Sequence, residues 1–289
     1  MRVTMYILGE KGYKSLMAIP EGFRKQIDTI VIGTDSSVQD DYSSKSTRYC
    51  EEHSLNHSQN RETTTTADYI IAIGWRWLIE ANPSQTLIVM HDSILPRYRG
   101  FNPLVTALIN GDSEIGVTAL LGTENYDEGD IVAIEKLKIR YPITISEAIS
   151  KLSEKYGILV QKVIGYISKG EVPRTPQDHT LATYSVWRDK YDYFIDWNWN
   201  AEKIERMVNA VGHPYSGAQI RVNDQIYKLV KAQAVPDVNV ENRTPGKVLF
   251  KKQDKLVVLC GTGLLRLDEV HNTENEKVTF QNKFRIRFT

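Results

Sequence analysis

Short, unbroken apolar runs recur through the first half of the chain: Val3 to Leu8, Asp28 to Gly33 (DTIVIG), Ala67 to Ile73 (ADYIIAI), Leu87 to Met90 (LIVM) and Gly116 to Leu121. Consecutive rather than alternating apolar residues in runs this short fit strands buried on both faces, as in a parallel sheet. Polar and helical stretches separate them. Gly9 and Gly12 turn the first strand into a helix, and the GEKG turn reads as a tight strand-to-helix connection. Thr34 to Ser46, rich in Ser and Asp, reads as a loop; Tyr49 to Leu55 reads as a short helix, and Thr63 to Thr66 as a polar connection. Ile145, Ala148, Leu152, Tyr156, Leu159, Val163 and Ile167 fall at helical spacing, which predicts one long amphipathic helix over Thr144 to Ile167. The alternation predicts an α/β fold with a doubly wound, mainly parallel sheet.

The pattern then changes. VPRTPQDHT, with two prolines, reads as an extended connection. Asn200 to Val211 predicts a second helix, capped by Asn200, with Ile204, Met207, Val208 and Val211 on one face. From Ala218 onward the short alternating segments IRVN, IYKLVKA, KVLF, KLVVLC and LLRLDEV predict a small, open, OB-like β-barrel, with Val235 to Thr244 as an exposed loop. The expected division is a first domain over 1–180, a linker over 181–200 and a carboxyl-terminal helix-plus-barrel domain over 201–289.

Charge narrows the classes. The 289 residues carry 36 Lys plus Arg against 36 Asp plus Glu, so no global field draws in nucleic acid or an anionic membrane. KKQDK and NKFRIRF are locally basic, and such short runs read as solvated faces. No apolar run approaches the roughly 18 residues of a membrane span. Met1-Arg2-Val3 leads straight into a strand, so the expectation is a cytoplasmic protein. Cys50 and Cys260 read as reduced thiols, one in a loop or helix start and one buried in a strand. His53 and His57 lie four apart without a third ligand, so no metal is expected.

The candidate chemistry sits between His91 and Asp130. His91 is the first polar residue after LIVM, and ligands of open α/β sheets bind beyond the carboxyl ends of strands. A neutral histidine there can take a proton near pH 7, and a carboxylate such as Asp127 can fix its tautomer or help carry the proton.

HDSILPRYRGFNP, followed by NGDSEIGVTAL and YDEGD, closely resembles the folate-dependent formyltransferase family, through His91, Ser93, Leu95, Pro96, Tyr98, Arg99, Gly100, Gly116, Val117, Thr118, Asp127 and Gly129. That family includes enzymes acting on methionyl-tRNA, on glycinamide ribonucleotide and on nucleotide sugars. IDW at Ile195 to Trp197 and PYSGA at Pro214 to Ala218 resemble the carboxyl-terminal domain of its tRNA and lipid-sugar members. The resemblance implies 10-formyltetrahydrofolate as cosubstrate, no metal, and His91 and Asp127 as the catalytic pair. It implies further that Gly74, Trp75, Arg76, Leu95, Asp127 and Asp130 line the folate site. For Trp75 and Trp77, simple packing is the favoured reading.

One position departs from the family. An asparagine expected two residues before the histidine, where its amide meets the negative charge developing on the formyl oxygen, is Val89 here. The compensating donor is a backbone N–H near Asp92, the side chain of Asn102, or protonated His91; a noncatalytic binder is the alternative.

The acceptor is the remaining question. TDSSVQDDYSSKS holds three aspartates and one lysine where tRNA-directed relatives carry a basic loop, which argues against nucleic acid. The preferred acceptor is therefore the primary amine of a nucleotide-linked amino sugar (UDP- or dTDP-linked), as in polysaccharide biosynthesis. Ser93, Tyr98, Arg99, Asn102, Arg188 and Tyr191 are the candidate substrate contacts, with Trp187 and Tyr193 as further aromatic groups. Tyr98 and Arg99 either face a phosphate or the folate, or hold their own turn. Methionyl-tRNA formylation and formyltetrahydrofolate hydrolysis are the rival activities, and a homodimer is compatible with the sugar reading.

Overall fold

The computed structural model describes the chain except residues 281–284. The first strands and helices follow in order as β1 (Val3–Ile7), α1 (Gly9–Met17), β2 (Ile27–Ile32), α2 (Ser43–Glu52), β3 (His57–Ser58), β4 (Tyr69–Ile73), β5 (Thr86–His91) and β6 (Arg99–Gly100). They continue through α3 (Pro103–Asn110), β7 (Glu114–Leu121), β8 (Ile131–Lys138), α4 (Ile145–Lys169), β9 (Tyr184–Ser185), α5 (Ala201–Ala210) and β10 (Ala218–Val222). The last strands are β11 (Gln225–Val235), β12 (Val248–Lys252), β13 (Lys255–Leu259), β14 (Leu264–His271) and β15 (Lys277–Val278).

Two compact units result. The first comprises residues 1–104, 113–139 and 147–186; the second comprises 105–112, 140–146 and 187–289. In the first, a seven-stranded sheet runs in the order β3-β2-β1-β4-β5-β7-β8. β1 pairs in parallel with β2 and β4, and β4 in parallel with β5. β1 is buried at every position and β4 at all but its first residue, as expected of strands covered on both faces. The mainly parallel α/β sheet therefore stands.

The strand after the histidine runs the other way. β7 pairs antiparallel with β5, His91 opposite Thr118 and Ile88 opposite Leu121, and β8 pairs antiparallel with β7. Apolar runs report burial, not direction.

α2 also differs from expectation, starting at Ser43 rather than near Tyr49. Ser43, Ser44 and Ser46 form the first turn, where one Asp41 oxygen accepts both the N–H and the hydroxyl of Ser43, while Ser36 and Ser37 stay in the loop. α4 and α5 fall close to their predicted spans, and Asn200 Oδ1 accepts the Lys203 N–H at 2.7 Å as a helix cap.

In the second unit the sheet order is β10-β11-β14-β13-β12, with β15 beside β14. The two edge strands meet the same carboxyl-terminal segment. Arg221 of β10 exchanges two backbone hydrogen bonds with Thr289, while Val248 of β12 donates to Ile286 and Phe288 donates to Gly246. The tail thus bridges the open edges, alternating buried Ile286 and Phe288 with exposed Arg285 and Arg287. The second half of NKFRIRF therefore does two things: Ile286 and Phe288 close the sheet, while Arg285 and Arg287 keep a solvated basic face; its first half overlaps residues 281–284, outside those described. Among the described residues no helix is long and apolar enough to cross a membrane.

Candidate active site

His91 is the last residue of β5, on the same strand face as Leu87 and Val89. Its side chain is 8% exposed. Nε2 lies 2.8 Å from the Tyr98 carbonyl oxygen. A carbonyl can only accept, so that nitrogen carries the proton and the tautomer is fixed. The other nitrogen, Nδ1, lies 3.5 Å from Asp127 Oδ1. Asp127 Oδ2 in turn accepts the Gly100 N–H at 2.8 Å. The pair is thus held from both ends, with Nδ1 beside a carboxylate.

Asp127 arrives by an indirect route. The β7–β8 connection leaves the sheet where Gly122 donates to Leu87, near the start of β5, yet Asp127 reaches His91 at that strand's end. Asp127 itself has φ +58°, a backbone region that costs energy for a non-glycine residue and must be held by its surroundings. Gln177 supplies the hold, donating Nε2 to the carbonyls of Asp127 and Gly129 at 2.8 and 2.7 Å. Gly129 is required by close approach, since a Cβ there would stand 1.8 Å from the Leu121 carbonyl oxygen.

Arg99 completes the clamp. Its side chain is 1% exposed, and its guanidinium donates to Gln177 Oε1 at 3.2 and 2.8 Å and to Glu128 Oε1 at 3.1 Å, beside His179 Nδ1. The arginine is engaged within the protein and ties the Asp127 loop to the 175–180 segment through side-chain acceptors. β6 pairs with β9, and Gly100, at φ +93°, lets the Ser185 carbonyl approach to 2.5 Å of where a Cβ would stand. Thr118 of β7 donates its hydroxyl to the Ser93 carbonyl at 2.7 Å and accepts the Leu95 N–H at 3.2 Å, bracing the loop after His91.

The other sequence candidates divide. Leu95 and Ser93 are buried, and the Ser93 hydroxyl has no hydrogen-bond partner among the described residues. Tyr98 is buried, its N–H donating to Thr183 Oγ1 at 2.9 Å. Asn102 has φ +51° just before α3. Gly74 follows β4, and Trp75 packs edge-on against Tyr6 and Trp77, its buried Nε1 also without a partner among the described residues. Arg76 pairs with Asp35 at 2.8 Å and lies over the Trp77 ring. Asp130 sits just before β8, its carbonyl accepting from Leu121. Arg188 and Tyr191 belong to the second unit, where Arg188 donates to the Asp192 carbonyl and the Tyr191 ring is 66% exposed.

Gln177 carried no signal in the sequence, since VPRTPQDHT reads only as an extended connection, and Glu128 was visible only as one residue of the YDEGD segment. Tyr156 was visible only as one apolar position of a helix. In the structure it is fully buried, and its hydroxyl donates to Asp92 Oδ1, with the Met90 carbonyl at 3.4 Å. Burial, then the Asp92 charge and hydrogen bond and the Asp127 charge, push its phenol far above the ordinary tyrosine range. It therefore stays a donor.

The comparisons place this geometry in a family. The formyl transferase model matches residues 31–164, and the formyl transferase carboxyl-terminal domain model matches residues 188–287. The chain belongs to the formyl transferase family. It is 33% identical over 190 residues to methionyl-tRNA formyltransferase of Delftia acidovorans, covering 66% of this chain and 58% of that one. It is 31% identical over 201 residues to methionyl-tRNA formyltransferase of Carboxydothermus hydrogenoformans, covering 69% and 64%. The matches thus span less than two thirds of those relatives. In fold it is similar to an N-formyltransferase from Helicobacter canadensis solved with folinic acid and dTDP-3-aminofucose, at TM-score 0.68 and 15% identity, covering 92% of this chain and 98% of that one.

Proposed function

We propose that this chain transfers a formyl group from 10-formyltetrahydrofolate to the primary amine of a nucleotide-linked amino sugar. The observation that carries the reading is the His91–Asp127 pair, with Nε2 pinned to a carbonyl and Nδ1 left to face the carboxylate. The buried Trp75 Nε1 and Ser93 Oγ, without partners among the described residues, fit a site that receives a polar ligand. The folate supplies the formyl carbon. As the amine nitrogen bonds to it, His91 Nδ1 takes the amine proton and Asp127 stabilises the resulting imidazolium; the proton then passes to the folate nitrogen as its bond to the formyl carbon breaks. A positioned base of this kind contributes about 10²–10⁴ in rate.

The acidic loop supports a sugar rather than a polynucleotide. Lys45 and the Tyr42 N–H hold the Asp40 carboxyl below the usual range. Burial pushes Asp35 upward, but hydrogen bonds from Ser37 and Arg76 outweigh it, leaving that carboxyl also low. A polynucleotide would bring many phosphates against this Asp-rich stretch, whereas a nucleotide-linked sugar brings a single diphosphate that need not lie there. A second reading, formylation of methionyl-tRNA, is supported by the names of the relatives above.

One assay separates them: release of tetrahydrofolate from 10-formyltetrahydrofolate, measured with UDP- and dTDP-linked amino sugars, with charged initiator tRNA, and without acceptor. Turnover with a sugar, abolished in a folded His91→Ala variant, is the expected result. Turnover with tRNA alone would replace the acceptor, release without acceptor would indicate hydrolysis, and full activity of His91→Ala would remove the proposed base.

A further inference from the structure

We infer that Tyr156, Asp92 and Lys11 form a positioning triad that fixes the main chain on both sides of His91. The inference rests on the proposed function, in which His91 moves the proton. Asp92 follows His91 directly, and its two oxygens have different owners: Oδ2 takes the ammonium of Lys11 from α1, and Oδ1 takes the hydroxyl of Tyr156 from α4. The same hydroxyl lies 3.4 Å from the carbonyl of Met90, the residue before His91. One phenol therefore reaches the residues on either side of the histidine.

Burial makes the arrangement specific. Tyr156 is fully buried, and the Lys11 and Asp92 side chains are 16% and 18% exposed. A tyrosine so deeply buried loses by carrying its hydroxyl unless the hydroxyl has a partner. A half-buried carboxylate likewise needs a cation, and Lys11 supplies it. The imidazole is thus held from one side through Tyr98 and its backbone from the other through α4. Misplacement of a catalytic group by about 1 Å can cost about 10² in rate.

The test reads His91 itself. The imidazole Nε2 proton, buried against the Tyr98 carbonyl, should give a slowly exchanging NMR signal that is missing in His91→Gln. Tyr156→Phe keeps the ring and removes the hydroxyl; it should speed that exchange by about tenfold, as loss of a single buried hydrogen bond does. Lys11→Met should also speed it, and adding Asp92→Asn should slow it again, because the stranded carboxylate is gone. In transfer assays Tyr156→Phe should lower kcat by about tenfold with KM unchanged. Absence of the signal from the unmodified protein, unchanged exchange in Tyr156→Phe, or no rescue by the double variant would overturn the triad. Altered exchange without transfer to any acceptor in any variant would instead remove the proposed reaction and leave the triad standing.

Discussion

Val89 shares a strand face with His91, two residues away, and is half-buried beside it. An amide at that place presents an N–H on the side where the imidazole works. Val89→Asn is therefore expected to raise kcat, on the order of tenfold, given that loss of one such donor elsewhere costs about 10²–10³. Steady-state kinetics with saturating folate decides it, and an unchanged kcat would mean that another group already makes the bond. At this scale the sequence exposed His91 and Asp127 through a motif, and the structure brings them within 3.5 Å. It did not expose Tyr156 or Lys11. Tyr156 sits at a helical apolar position, and its partner lies 64 residues away, so nothing local distinguishes its hydroxyl from the ring that carries it. Arg99 was open between ligand and loop for a similar reason: an arginine states its charge in the sequence but not its acceptors.

The β7–β8 connection is the element that delivers Asp127, and Gly129 is where it comes closest to its own strand. Gly129→Ala would drive a methyl into the Leu121 carbonyl, and a backbone obstacle cannot turn aside as a side chain can. The expected cost is about 3 kcal/mol, at the upper end for overpacking, with activity falling in parallel as the carboxylate moves. Urea unfolding checks the first and turnover the second; wild-type stability would show that the loop has room to yield. Burial made β1, β2, β4, β5 and β7 legible, and helical spacing did the same for α4 and α5. Strand direction, the early start of α2 and the closing role of Ile286 and Phe288 were hidden, because each depends on a partner elsewhere: β5 for β7, Asp41 for α2, and the edges β10 and β12 for the tail.

Each compact unit holds one buried cysteine, Cys50 in α2 and Cys260 just after β13. Burial pushes both thiols from 9.0 up to about 12. Between those values the folded chain keeps protons that the unfolded chain has released, so stability falls as pH rises through the window and is fully present below it. Denaturant midpoints at pH 8 and pH 10.5 should show the fall, and a Cys50→Ala, Cys260→Ala variant should show a shallower one; an equal slope in both proteins would assign the effect elsewhere. The division into units is not a division of the chain. Residues 105–112 count with 187–289, and Arg206 of α5 donates to the Ile109 carbonyl at 2.9 Å. During synthesis the ribosome releases α3 well before Arg206 exists, so that helix must wait, held by whatever has already formed, until α5 emerges to meet it. A chain severed at residue 187 would leave α3 waiting permanently, and neither half should be expected to express as a well-behaved protein.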